Sequence, residues 1–327
     1  MLSLFRTNQA SAGLLLFFYA LLLQLPAFFG APDIPGAEAI SGVAGKTLAY
    51  WVGDQQWLQL LLPVVLVTTQ GIVANVLVTR HRLSRKITQF PGLFVVLCWG
   101  LFPAFRTLQA IHFANFFLML ALLSLARVYK KDEPSVPLFN AGAWLGIASL
   151  FVPFYLCLLP AFVIGMGILR RPDVRSVLQT LVGVGLTYFF TFFMLYLFGT
   201  WDGALSNHFS GLGLTSFPSL SSHMQFGLAA LGVLLLLAIA SYGAVVQLLN
   251  IEGKKNVGII AWVLVFGALG LLLSGPGLLP GLQVLVCPLG VLVGLRFIFL
   301  PSGRAEFLHL ILFIVATVPL LWATFGG

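Results

Sequence analysis

The chain is 327 residues long, 60% hydrophobic and only 8% charged, with a mean hydropathy of +1.04 and a net charge of +8. That composition excludes a soluble globular domain, whose water-exposed surface needs far more polar and charged side chains. The positive balance would in a soluble protein suggest nucleic acid, but its placement between apolar runs explains it without any nucleic-acid partner.

Apolar runs cover roughly 11–30, 57–79, 91–105, 108–128, 138–153, 154–169, 177–199, 224–249, 257–274, 278–295 and 307–325. They predict an all-α polytopic protein with about 11 transmembrane helices, because a helix satisfies its own backbone groups inside a hydrocarbon core about 30 Å thick. The alternating pattern of an outer-membrane barrel is absent. The first run is longer than the apolar part of a signal peptide and reads as a retained helix. Basic clusters separate the runs: "RHRLSRK" at 80–86, "RVYKK" at 127–131, "RRPDVR" at 170–175, "EGKK" at 252–255, then Arg296 and Arg304. With a cytoplasmic N-terminus and every run crossing, only Lys46 and Arg106 of the 17 Lys and Arg fall outside, and the C-terminus is external. Residues 138–169 are too long for one span and short for two, with bases on both flanks, so a tight hairpin around Pro153 is expected, or else a re-entrant pair. The short run 91–105 implies a thinned bilayer or shielding by neighbouring helices.

The whole chain reads as one domain, with long external loops at 31–56 and 200–223. In the first, Ile40, Val43, Ala44, Thr47, Leu48 and Trp51 fall at helical spacing, predicting a short interfacial helix anchored by Tyr50, Trp51 and Trp57. Cys98, Cys157 and Cys287 lie inside apolar runs, which suggests small buried residues rather than disulfides or metal ligands. Phosphate-binding glycine loops, nucleophile elbows and zinc motifs are all missing, so no ATP-driven chemistry is expected of this chain.

The candidate site therefore rests on the external acids, the histidines and Arg106. Asp33 and Glu38 stand where a carboxylate acts as a general base or holds a divalent cation against a sugar or phosphate; the bland alternative is solvated loop acids. Arg106, at the turn between two short runs, suits bidentate contact with a lipid phosphate, or is a snorkelling base that marks the turn. Gln109, His112 and Asn115 form a polar stripe at i, i+3 and i+6; His112 is a candidate substrate contact or proton relay, and more often such a residue serves helix packing. Asp202, His208 and His223 in the second loop gain weight only if that loop folds over the first.

A cytoplasmic N-terminus, one span, an acid-bearing external loop with an interfacial helix, six more spans and a second external loop resembles the GT-C module of membrane glycosyltransferases over about residues 1–230, with residues 231–327 as additional helices. The stretches "ANVLVTRHRLSRK", "LPAFVIGMGILRRPD" and "LFNAGAWLGIASLF" are also similar to parts of uncharacterised multi-pass inner-membrane proteins of Bacteroidota, some like polysaccharide polymerases. The resemblance implies a bacterial inner-membrane enzyme that takes a sugar from a polyprenyl phosphate at the external face to build an envelope glycan or glycolipid. It implies a catalytic-base role for Asp33 or, failing that, Glu38, and a donor-phosphate contact for Arg106; His112, Asp202 and His208 are candidate substrate contacts from their positions alone. The adjacent acidic pair common in that superfamily is replaced by two acids five residues apart. Two other readings compete: a lipid or small-solute transporter, weakened by the lack of any acid inside a run, and a non-catalytic subunit that docks other membrane proteins through its helices.

Overall fold

The computed structural model describes residues 2–6, 11–28, 41–53, 55–102, 106–171, 173–215, 222–275 and 278–325. Helices α1 (Leu2–Phe5), α2 (Ser11–Gln24) and α3 (Val43–Val52) precede the long α4 (Gln56–Arg80). Four shorter helices follow: α5 (Phe90–Trp99), α6 (Ala110–Ala126), α7 (Ser135–Phe151) and α8 (Leu159–Leu169). Then come α9 (Val174–Leu197), the small α10 (Ala204–Phe209), α11 (Ser222–Gln247), α12 (Ile251–Gly270), α13 (Leu278–Gly281), α14 (Val286–Ile298) and α15 (Ser302–Phe325). Among the described residues there is no strand, only an isolated bridge between Gly213 and Ser274.

Four of these helices are long and apolar enough to cross a membrane: α4, α9, α11 from Met224 and α12 extended to Leu273. The 25 residues of α4 reach about 37 Å, more than the apolar core of a bilayer. Local chemistry sets several boundaries. Asp173 caps α9 by accepting from the Arg175 amide at 3.1 Å, and Asn250 caps α12 by accepting from the Gly253 amide at 2.7 Å. Pro91 and Pro160 open α5 and α8, where a missing N–H costs nothing.

The expected break in 138–169 falls at Val152, whose extended backbone ends α7 ahead of a 3-10 turn over Pro153–Leu158. The two limbs return to the same end. Thr180, near the start of α9, has its hydroxyl 3.3 Å from the Leu138 carbonyl on the first turn of α7 and 3.5 Å from Met166 Sδ near the end of α8. They stay apart along their length, with α7 packed on α6 and α9 and α8 on α12, rather than closing on each other as a tight hairpin.

Shielding by neighbours accounts for the short α5. All its residues from Phe90 to Trp99 are buried, wrapped by α4 and α14. Glycines bring the backbones together: a Cβ on Gly290 or Gly294 of α14 would lie 2.6 Å from Val95 Cα or 2.5 Å from Pro91 Cα, and one on Gly92 would lie 2.4 Å from the Gly71 carbonyl. The stretch "GVLVG" is thus a small-xxx-small packing face, the device helices use where lipid removes the hydrophobic drive to associate.

The basic clusters meet at one end. His81 Nδ1 approaches Glu252 Oε1 at 3.5 Å, Lys255 Nζ donates to the Leu169 carbonyl at 3.0 Å, and the Gln89 amide donates to the Phe5 carbonyl at 2.9 Å. Arg6 lies over the Phe90 ring at 5.5 Å. The described parts of the two long loops, 41–53 and 200–215, lie at the opposite end.

Candidate functional site

Asp33 and Glu38, the expected catalytic acids, lie outside the described residues, as do Asp54 and the side chain of His223. The description of the first loop begins at Ser41, and its helix α3 lies where the spacing predicted one. The buried face differs from the predicted stripe. Gly45 and Val52 face inward with Gly42 just ahead of them, while Trp51 is 78% exposed and Tyr50 85% exposed. The reason is close backbone approach. A Cβ on Gly42 would lie 2.4 Å from the Leu150 carbonyl, and one on Gly45 2.7 Å from Ala110 Cβ. Exposed Tyr50, Trp51 and Trp57 keep the amphipathic character expected of interfacial anchors.

The second loop does fold onto the first. His208 of α10 is buried, and its Nδ1 accepts from the Val43 amide, the first residue of α3, at 3.1 Å. Lys46 Nζ donates to the Asn207 carbonyl at 2.7 Å, and the Gly42 amide donates to the Phe151 carbonyl at 2.8 Å. Because Nδ1 is an acceptor, the His208 proton sits on Nε2, which donates to Tyr188 Oη at 3.1 Å. Tyr188 donates in turn to Ser149 Oγ at 2.9 Å, and Ser149 to the Gly146 carbonyl at 2.7 Å. This directed chain ties α10, α9 and α7 together and uses both ring nitrogens of His208. Burial, reinforced by the Lys46 ammonium, lowers the imidazole pKa to about 4 and keeps it neutral. A second tie joins the loop to the segment after α12: the Gly275 amide donates to the Gly213 carbonyl at 2.9 Å, and the Gly213 amide to the Leu273 carbonyl at 3.2 Å. Asp202 is exposed in the turn that leads into α10.

Beside the docked loop, α9 presents an open apolar groove of about 500 Å³ lined by Tyr188, Phe189, Phe192, Phe193, Tyr196 and Trp201. Trp201 meets Phe192 edge-on at 5.8 Å, which fixes the loop's start against the helix.

Arg106 belongs to a different cluster. Its guanidinium donates to the Leu23, Gly100 and Ala316 carbonyls, the last two at 2.8 and 3.0 Å, and Gln24 donates back to the Arg106 carbonyl. Leu23 and Gly100 lie at the C-terminal ends of α2 and α5, where the helix dipoles are negative and offset part of the charge, while Nε has no partner among the described residues. The space beside it is about 20 Å³, room for one water and not for a phosphate. The expected grip on a lipid phosphate is therefore corrected to a buried clamp on helix ends.

His112 is fully buried, stacked on Trp99 with centroids 4.3 Å apart, and its Nδ1 accepts from the Gln109 amide at 3.2 Å. The polar stripe around it is absorbed by neighbours. Asn115 donates to the Gln283 carbonyl at 2.8 Å and accepts from Tyr155 Oη at 3.0 Å, Gln283 donates to Gln109 Oε1 at 3.0 Å, and Gln70 donates to the His112 carbonyl at 2.8 Å. His112 thus has a packing role here and no open face toward a ligand. Tyr188, Ser149 and Gln283, which complete these networks, carry no sequence signal: a hydroxyl or amide in an apolar run is common, and their side-chain partners lie 20 to 174 residues away.

Among the described residues no group of three or more His, Cys, Asp or Glu is placed to hold a metal ion. Comparison with family models, with curated proteins and with solved structures finds no match for this chain.

Proposed function

We propose that the chain is a multi-pass protein of a bacterial inner membrane, crossing about 11 times with its basic end in the cytoplasm, and that it acts at the opposite face as a GT-C-like glycosyltransferase on a polyprenyl-phosphate-linked sugar. The observation that carries this reading is the docking of the second loop on the first, His208 on Val43 and Lys46 on Asn207, at the rim of a lipid-facing aromatic groove. A long apolar donor chain suits such a groove, and the acids of the first loop, with a divalent cation as the implied cofactor, would supply base catalysis beside it. Membrane lipids and other envelope proteins are the partners this placement implies.

One observation favours a second reading, a non-catalytic integral subunit. His208, His112 and Arg106 are each engaged by internal partners, as expected of groups that specify packing. Native mass spectrometry of the gently purified protein separates the two. The transferase reading expects a co-purifying polyprenyl-phosphate lipid, lost when Tyr196 and Trp201 are changed to alanine, and sugar transfer abolished by Asp33→Asn. Retention of ordinary phospholipids with no polyprenyl phosphate would leave the subunit reading.

A further inference from the structure

At the basic end an open pocket of about 530 Å³ is lined by Arg80, His81, Arg127, Tyr129, Lys131 and Glu252. It carries three permanent cations against one acid. Arg80, Arg127 and Lys131 are exposed and make no side-chain hydrogen bond or ion pair among the described residues. More charge flanks it, since Lys130 and Lys255 lie 5.6 and 5.3 Å from the centre of the Tyr129 ring. A positive-inside bias alone asks for bases somewhere in these loops; it does not ask that they line one concavity.

Two further observations concern the same place. His81 is only 6% exposed, and its Nε2 has no hydrogen-bond partner among the described residues, although buried polar atoms are nearly always paired. With Nδ1 turned toward Glu252 Oε1 at 3.5 Å, the proton belongs on Nδ1, and the buried Nε2 is left without a partner among the described residues. Burial, with Arg127 and Arg80 nearby, lowers the His81 pKa to about 4, so this neutral form persists at neutral pH. The second observation is backbone strain. Arg82 and Lys130 are the non-glycine residues with positive φ among those described, at 53° and 55°. Each directly adjoins a residue of the pocket wall. Arg82 occupies the position after the α4 C-cap where glycine is preferred: the Leu83 amide closes the helix on the Val78 carbonyl at 3.0 Å and the His81 amide on Leu77 at 3.2 Å. Strain of this kind collects at binding sites, where the surroundings hold it.

We infer that this pocket binds a phosphate group, held by Arg80, Arg127 and Lys131, and supplied either by the head of an anionic phospholipid or by a free phosphorylated small molecule. Its position at the basic end, away from the aromatic groove, makes it independent of the transferase reading.

The test uses the full chain in two arms. In the first, the protein is reconstituted in vesicles that mix phosphatidylglycerol with phosphatidylcholine, and native mass spectrometry reads which lipid stays bound. In the second, the detergent-solubilised protein is titrated calorimetrically with glycerol 3-phosphate. Arg80→Gln and Arg127→Gln should each weaken the bound anion about fivefold, the worth of one base near an anionic headgroup, and the pair should compound. Arg171→Gln, at the same end and outside the pocket, should leave binding unchanged. These are exposed side chains, and an unchanged melting temperature checks that each variant folds. Binding in the first arm alone assigns a lipid headgroup, and binding in the second assigns a free phosphate. The inference is overturned if neither arm shows binding, or if Arg171→Gln weakens it as much as Arg127→Gln does.

Discussion

Gly142→Ala should unlatch α7 from α9, and with them the docked second loop. A Cβ at Gly142 would stand 2.0 Å from the Thr180 carbonyl oxygen and 2.8 Å from its carbon, while one at Gly183 across the interface would stand 2.3 Å from the Phe139 carbonyl. Ordinary contact begins at 3.4 Å, so the added methyl is more than an ångström inside it, against backbone that cannot rotate away. The helices must separate or slide. Overpacking of this kind costs about 1–3 kcal/mol. Separation also stretches the Thr187 hydroxyl contact to the Ala143 carbonyl at 3.4 Å and the Ser149–Tyr188 hydrogen bond at 2.9 Å, each worth about 0.6 kcal/mol in a membrane protein. A total of about 2–4 kcal/mol should appear as a marked drop in melting temperature in detergent. Because Tyr188 also holds His208, faster hydrogen exchange across residues 204–209 should accompany it. The control is Gly185→Ala on the same helix, where a Cβ meets nothing within 4 Å. If Gly142→Ala melted with the wild type, or if both variants shifted equally, the close-packed α7–α9 interface would be wrong.

Three further outcomes follow from single groups. Docking of the second loop should weaken in acid: His208 titrates near 6.5 when free but at about 4 when docked, so between those values only the undocked loop takes up a proton. The stabilisation is complete above pH 6.5, is lost progressively as pH falls, and is gone near pH 4, on the order of 1–3 kcal/mol after solvent screening, readable as faster hydrogen exchange across residues 204–209 in acid. Arg82→Gly should raise stability by about 1 kcal/mol, because glycine adopts φ of 53° without strain; a fall in melting temperature would contradict the helix end described here. Arg106→Met should destabilise by about 3 kcal/mol or more, since it strands three buried carbonyls at helix ends, and unchanged thermal unfolding would show the guanidinium is not the clamp.

Hydropathy made the helices legible because each run must be apolar whatever it packs on. The runs at 57–79 and 177–199 became α4 and α9 within a few residues, and Pro153 marked the break in 138–169 because proline cannot continue a ladder that needs its N–H. What hydropathy could not show was which helix meets which. The inward face of α3 is set by Gly42 and Gly45, residues that contribute nothing to an apolar stripe yet decide how near two backbones come, so the predicted stripe was turned away from the true one. Charge parity gathered the basic clusters at one end, but not the pocket, whose wall brings together residues of 80–81, 126–131 and 252 that are distant in the chain.

The same limit shaped the candidate site. Sequence singled out Arg106, His112 and His208 because a charge or an imidazole in an apolar chain is expensive and must have a reason. The reason differs at each position, and partners decide it. Arg106 is spent on three carbonyls, His112 on a stacked indole and a helix cap, and His208 on a chain that runs through Tyr188 to Ser149. His81 Nε2 and Arg106 Nε are both left without a partner among the described residues, but the space beside Arg106 is about 20 Å³ whereas His81 lines a pocket of about 530 Å³ with three exposed bases and one acid. A buried group spent on internal partners explains stability, whereas unpaired charge lining an open cavity asks for a ligand. By that criterion the pocket at the basic end has a stronger physical claim on an anion than the clusters around Arg106 and His112.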